Sequence, residues 1–320
     1  MRWIALFAAA AVPVFAADTI AFDLPVACAV GKTCFIQQYF DHDPGPGATD
    51  YTCGVKSYDG HDGVDIRLPT QAAMRQGVDV LAAAPGVVKG VRDGMQDADV
   101  RLAGAASVKG RECGNGVVIA HDGGWETQYC HMANGSVRAK VGDRVAAGTV
   151  LGRIGESGDA AFPHLHFSVR HDGAKLDPFA TEASCGKGAS LWSAKAKATL
   201  AYRAPQIINT GFAGAPVSMD QIESGPIAPP DGQSAALVAY VRTIALKAGD
   251  VQELTILAPG GGVLVAQKNA PLDANKAQWM LFGGKKRPPN GFAPGRYTAR
   301  YQVTRAGKPV LADSFFLDLR

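Results

Sequence analysis

The stretch Pro163-His164-Leu165-His166-Phe167-Ser168-Val169 restricts this chain's fold more than any other. Leu165, Phe167 and Val169 alternate with His164, His166 and Ser168, the two-residue period of a strand with one apolar and one polar face. The pattern predicts a half-buried strand with both imidazoles on one side, about 7 Å apart by twice the strand rise. A lone histidine on a sheet face is ordinarily a hydrogen-bonded core or surface residue. Two at i and i+2, backed by apolar residues on the other face, favour a chemical role instead. Neutral imidazole nitrogen and carboxylate oxygen suit a zinc-like ion, so further donors of those types are sought elsewhere in the chain.

Two other segments supply them. Gly60-His61-Asp62-Gly63-Val64-Asp65 offers an imidazole and a carboxylate four residues apart, with Gly63 between them to let the backbone bend. The glycines and Pro69 favour an ordered loop entering a strand over a helix. Tyr129-Cys130-His131-Met132 adds a third imidazole; simple alternation along the strand from Trp125 puts Tyr129 and His131 on one face and Cys130 on the other. Cysteine ligation is disfavoured because the chain has no C-x-x-C pair, and the H-E-x-x-H helix of another zinc-peptidase design is also missing.

In order, H-x-x-x-D at His61 to Asp65, Y-x-H at Tyr129 to His131 and H-x-H at His164 to His166 resemble the lysostaphin-type, or LytM-like, zinc peptidases. Gly114-Asn115-Gly116-Val117-Val118-Ile119, Thr127, Val141-Gly142-Asp143, Ala147-Gly148 and Leu151-Gly152-Arg153-Ile154-Gly155 extend the likeness over roughly residues 58–180. The resemblance implies a mainly β, antiparallel-sheet domain of the duplicated hybrid motif type with an open groove. It implies Zn2+ held by His61, Asp65 and His166, with the fourth position open as in hydrolytic sites. His131 and His164 match the family's two non-ligand histidines: one is the general base and both can bond a tetrahedral oxyanion, and which is the base stays open. Tyr129 is expected to pack or hydrogen-bond beside the site. The implied substrate is the peptide stems of bacterial peptidoglycan, cut at a cross-link or a glycine-rich bridge. Two alternatives stand beside that reading: a non-enzymatic LytM-like regulator of cell-wall amidases, disfavoured because all five side chains are present, and a secreted bacteriolytic endopeptidase.

Residues 1–16 read as a signal peptide, from Arg2, the short apolar run Ile4 to Val14 and the small-residue site Val14-Phe15-Ala16. The mature chain is then expected to start at Ala17 and to be periplasmic or secreted, without a transmembrane anchor. Removing Arg2 takes the formal charge from +3 to +2 (3 − 1), which argues against nucleic acid as a partner. Nothing in the sequence sets the oligomeric state. Six cysteines in an exported chain suggest three disulfides. Cys28 and Cys34 are close enough to close a small loop, Cys113 and Cys130 flank a hairpin turning at His121-Asp122-Gly123-Gly124, and Cys53 and Cys185 remain.

The expected organisation is a cysteine-containing extension over 17–57, a zinc peptidase domain over 58–188, a linker and first strand region over 189–230, and a C-terminal β-sandwich over 231–320. Glycine at 38 and proline at 19 favour short strands and turns. A short helix is expected within Ala189 to Ala201, and the last strands have immunoglobulin-like spacing. His42, between two aspartates in a turn-rich loop, is expected to be solvated rather than metal-binding. Asp93 to Glu112 is either a groove wall or a neutral insertion, and Lys285-Lys286-Arg287 is expected to be a solvated turn.

Overall fold

A computed structural model describes residues 20–320. The expected signal peptide and Ala17 lie outside the described residues. Ten strands build the first part: β1 (Phe35–Gln38), β2 (Val64–Arg67), β3 (Asp79–Leu81), β4 (Gly86–Arg92), β5 (Asn115–Ala120), β6 (Trp125–Met132), β7 (Arg144–Val145), β8 (Val150–Arg153), β9 (His164–His171) and β10 (Ala174–Leu176). Eight form an antiparallel sheet ordered β1-β2-β9-β6-β5-β4-β7 with β10 paired to β9, and β3 pairs with β8 in a small second sheet.

The alternation in β9 decides which face is wet. Leu165, Phe167 and Val169 are fully buried in a core shared with Ile66, Tyr129 and Phe22. The alternating residues His164, His166 and Ser168 emerge on the opposite face. Truncating Phe167 to alanine would cost about 3–5 kcal/mol, the usual penalty for a buried aromatic ring. In register, Asp65 stands opposite His166 and Arg67 opposite His164, while Cys130 of β6 flanks His166 on the other side.

The N-terminal extension is part of this body. β1 adds an edge strand to β2, Phe22 bridges to Trp192, and Phe22, Val26, Ile36 and Tyr39 are buried in the same core. The disulfides pair as expected: Cys28–Cys34, Cys53–Cys185 and Cys113–Cys130.

Seven further strands follow: β11 (Gln206–Ala213), β12 (Ala236–Leu246), β13 (Val251–Leu257), β14 (Val263–Lys268), β15 (Lys276–Lys286), β16 (Gly295–Arg305) and β17 (Lys308–Leu319). They form two antiparallel sheets, β11-β12-β15 and β14-β13-β16-β17. Phe212, Leu237 and Val241 of one meet Leu254, Ile256, Tyr301 and Val303 of the other in a common core, so the expected sandwich is present. Its first strand is contributed by residues 206–213, from the stretch expected to hold the linker. The helix expected between Ala189 and Ala201 shrinks to Ala194–Lys197. Lys285 and Lys286 are exposed but end β15, paired with Leu237 and Ala236, rather than forming a turn.

Candidate active site

Asp65 and His166 are brought face to face by the pairing of β2 with β9, and His61 joins them from the loop before β2. That loop passes close over the sheet: a Cβ on Gly63 would lie 2.6 Å from His166 Nε2 and 2.7 Å from the Phe167 carbonyl. Only glycine fits there without displacing the site. His61 Nε2 lies 3.2 Å from His166 Nδ1 and 3.1 Å from Asp65 Oδ1, and His166 Nδ1 lies 2.9 Å from the same oxygen.

Hydrogen bonds on the far sides of the rings place their protons. His61 Nδ1 donates to the Tyr39 carbonyl at 2.6 Å, which leaves the lone pair on Nε2. His166 Nε2 is 3.1 Å from Asp62 Oδ1 and 2.9 Å from Ser168 Oγ, which leaves the lone pair on Nδ1. Two lone pairs and a carboxylate oxygen therefore converge, with the donor atoms of the three residues all within 4.8 Å of one another. Such a set repels itself unless a cation lies between, and its two nitrogens and one oxygen fit zinc. Burial disfavours charge on His166, but the bonds to Asp62 and Asp65 outweigh it and set the ring at about 9, so a proton and a metal ion compete for Nδ1. Burial alone would raise the Asp65 carboxyl; the neighbouring His61 and His164 and the bond from His166 hold it well below the usual range.

His131 reaches the same face by a different route. Asn115 pairs with Met132 and Val117 with Tyr129, so Gly116 alone opposes both Cys130 and His131: a β-bulge. His131 takes the left-handed conformation, φ 61°. The bulge overturns the alternation expected from sequence. Tyr129 points into the core, fully buried against Phe167, where its hydroxyl accepts from Ala83 N at 2.8 Å and Thr127 Oγ1 donates to it at 3.0 Å. It is a packing residue away from His61, Asp65 and His166. Cys130 instead shares the groove with His131 and His166.

His131 Nδ1 donates to the Ser157 carbonyl and His164 Nδ1 to the Phe162 carbonyl, both at 2.8 Å. Each Nε2 is left as an acceptor. The two rings are 4.6 Å apart by centroids, and His164 Nε2 stands 3.6 Å from Asp65 Oδ1. Burial, helped by His164 and His166, holds His131 well below 6.5, and burial also lowers His164. Both rings are therefore neutral near pH 7 and ready to take a proton.

His131 and His166 open onto a cavity of about 290 Å³ lined also by Tyr58, Asp62, Glu112 and Asp159. Glu112 ends the long Asp93 to Glu112 segment, which is strapped down by Asp97: its carboxylate accepts from Glu156 N at 2.7 Å and Asn134 N at 3.0 Å. The far end of that segment thus does wall the groove. His42 is not solvated. Its Nε2 lies 2.8 Å from Asp177 Oδ2 and its Nδ1 3.3 Å from the Ala183 carbonyl, and the bond to Asp177 raises its pKa. The ring is therefore tied into a pair with Asp177, whose own carboxyl burial pushes up. The supporting carbonyls of Tyr39, Phe162 and Ser157 carry no side-chain signal and were invisible in the sequence. Ser168 had one: it shares the β9 face of His164 and His166.

This site, with an imidazole-carboxylate-imidazole donor set beside two neutral histidines on a sheet floor, is of the metallopeptidase kind. Residues 59–178 match the model of peptidase family M23, and this stretch is an M23 domain of the LytM and lysostaphin type. The chain is 32% identical over 120 residues to the DD-carboxypeptidase/endopeptidase Mpg of Neisseria meningitidis, covering 37% of this chain and 22% of that protein. It is 33% identical over 93 residues to the peptidoglycan DD-endopeptidase ShyC of Vibrio cholerae, covering 29% of this chain and 20% of that one. The chain thus spans about a fifth of the length of these curated relatives. Among solved structures, the catalytic domain of the prophage-encoded M23 protein EnpA from Enterococcus faecalis is 24% identical, with a TM-score of 0.30 over 52% of this chain and 93% of that one.

Proposed function

We propose that this protein is a zinc-dependent endopeptidase that hydrolyses peptide bonds in bacterial peptidoglycan, at a cross-link or bridge, outside the cytoplasm. The observation that carries the reading is the proton placement: His61 Nε2, His166 Nδ1 and Asp65 Oδ1 converge as bare donors while His131 and His164 keep Nε2 free. His61, Asp65 and His166 would hold the ion. Bound there, zinc supplies a Lewis acid that makes water acidic enough to ionise near neutral pH and polarises the scissile carbonyl. The remaining work belongs to the chain. His131 or His164 takes a proton at Nε2, and the protonated ring then becomes a donor to the developing oxyanion. Each Nδ1–H, tied to a backbone carbonyl, keeps the ring plane fixed throughout, so no reorganisation accompanies proton transfer. The name of ShyC, a peptidoglycan DD-endopeptidase, supports the substrate class, and that of Mpg an endopeptidase activity.

The test is to incubate the purified chain with intact peptidoglycan, before and after chelation and zinc restoration, and to weigh the released fragments. Cross-linked dimers should become monomers only with zinc present. No cleavage by the zinc-loaded protein, together with stimulation of an added amidase, would replace this reading with the regulator.

A further inference from the structure

The C-terminal sandwich contributes nothing to the metal ligands, yet it grips the strand that carries one of them. Arg67 follows Asp65 by two residues on β2 and sits opposite His164. Its guanidinium is fully buried and every arm is engaged: Nη2 donates to both Glu223 oxygens at 3.0 and 2.7 Å, Nη1 to Gln37 Oε1 at 3.1 Å and Gln278 Oε1 at 2.6 Å, and Nε to the Leu68 carbonyl at 3.2 Å. Gln278 lies on β15. Glu223 lies on the short helix Met219–Ser224 between β11 and β12, whose start is set by a capping box of Ser218 and Gln221. A second fully buried arginine, Arg242 of β12, bonds the same Glu223 and also the Pro69 carbonyl just past β2.

The contacts continue to the catalytic face. The Arg67 guanidinium carbon stands 4.4 Å from the centroid of the Phe162 ring. That ring is 4.6 Å from the His164 ring, and the Phe162 carbonyl accepts the His164 Nδ1 proton at 2.8 Å. Two guanidinium groups sharing one buried carboxylate are a costly way to glue two bodies together, because desolvation of the ions consumes most of their attraction. Burial and the charge of Arg67 pull Arg242 down to about 10. What such a cluster provides is geometry: a two-pronged carboxylate contact and further hydrogen bonds to each arm fix a guanidinium in one orientation, as an apolar contact cannot.

We propose that the C-terminal sandwich is a positioning element for the active site: through Glu223 and Gln278 it holds Arg67 against the Phe162 ring, and Phe162 fixes the plane and the Nδ1 proton of His164. The inference rests on the function proposed above, in which His164 acts at Nε2. Glu223, Gln278, Arg67 and Phe162 are positioning residues, none of them touching substrate.

The experiment uses the full chain carrying Glu223→Gln or Gln278→Leu, with Arg296→Ala, which breaks an exposed pair with Asp318 in the same sandwich, as control. Four quantities are read for each: zinc per chain, melting temperature, kcat and KM on a cross-linked peptide dimer, and the proton resonance of His164 Nδ1–H, assigned by its loss in His164→Gln. Glu223→Gln should lower kcat by about 10-fold or more with KM within about 2-fold, because a small misplacement of a reacting group is enough for such a loss. Zinc should stay at the wild-type level and the Nδ1–H resonance should broaden through exchange. Gln278→Leu should move the same quantities less, and Arg296→Ala none of them. Should Glu223→Gln fail to fold, Gln278→Leu, which removes a single hydrogen bond from the Arg67 guanidinium and leaves the buried carboxylate in place, decides. A lower melting temperature with kcat and the resonance unchanged overturns the proposal and leaves the cluster a structural staple. Loss of zinc along with kcat overturns it too, by moving the effect to the metal. If the wild type cleaves nothing, the functional reading falls, while the resonance still decides whether Glu223 governs His164.

Discussion

Protons on five side chains decide what the groove can do, and backbone carbonyls decide where three of those protons sit. Tyr39, Ser157 and Phe162 each accept from an Nδ1–H, so His61, His131 and His164 all present Nε2. A buried carboxyl next to this arrangement titrates separately. Glu156 is 2% exposed with Oε1 unpartnered, and burial, against a bond from Gln71, raises its pKa from 4.5 to about 7. An acid whose folded pKa is raised favours folding below its unfolded pKa, and that contribution is lost as pH rises through the folded value. Glu156→Gln should therefore leave unfolding free energy nearly unchanged at pH 4.5 and raise it at pH 8, by up to about 3 kcal/mol. Urea unfolding at the two pH values checks this, and an equal effect at both would contradict it. The identities of the site residues were legible because imidazole and carboxylate are chemically rare on sheet faces. Their tautomers were not, because the partners are main-chain atoms far away in sequence.

The bulge in β6 shows where pattern reasoning reaches its limit. Period-two alternation placed His164 and His166 correctly, since β9 runs in unbroken register between β2 and β6. It misplaced Tyr129, because the extra residue opposite Gly116 is set by a neighbouring strand and leaves no mark in the sequence of β6 itself. The Cys113–Cys130 disulfide spans that bulge, and His131 N also donates to the Cys113 carbonyl at 2.8 Å. Replacing both cysteines by alanine should cost about 3 kcal/mol of stability, as for a loop of this length, and should slow cleavage while zinc stays bound. Urea unfolding, zinc analysis and the cleavage rate measured together test this. An unchanged rate would mean that hydrogen bonds alone hold the bulge. Gly63→Ala should be harsher on the metal, since the added methyl enters the space of His166, and zinc titration would register it.

At the scale of the molecule, the sequence divided the chain into extension, peptidase and sandwich, whereas in space the first two share one core. Phe22 and Tyr39 look like isolated aromatics in a cysteine-rich stretch, but one packs on Phe167 and the other offers its carbonyl to His61. Contacts of such long sequence separation cannot be read from local pattern; the cysteine pairs, whose geometry tolerates few partners, could be. With three bridges formed, the denatured, unreduced protein should show no reactive thiol, and two or more per chain would refute the pairing. The central claim is the division of labour among the histidines, and it is tested most directly by measuring zinc content and cross-link cleavage side by side. Asp65→Ala and His166→Ala should lose both zinc and cleavage, because two remaining donors hold zinc poorly. His131→Ala and His164→Ala should keep full zinc and lose cleavage by about 100-fold or more. Full cleavage by both of the latter variants, or zinc lost from His164→Ala and retained by His166→Ala, would contradict the account.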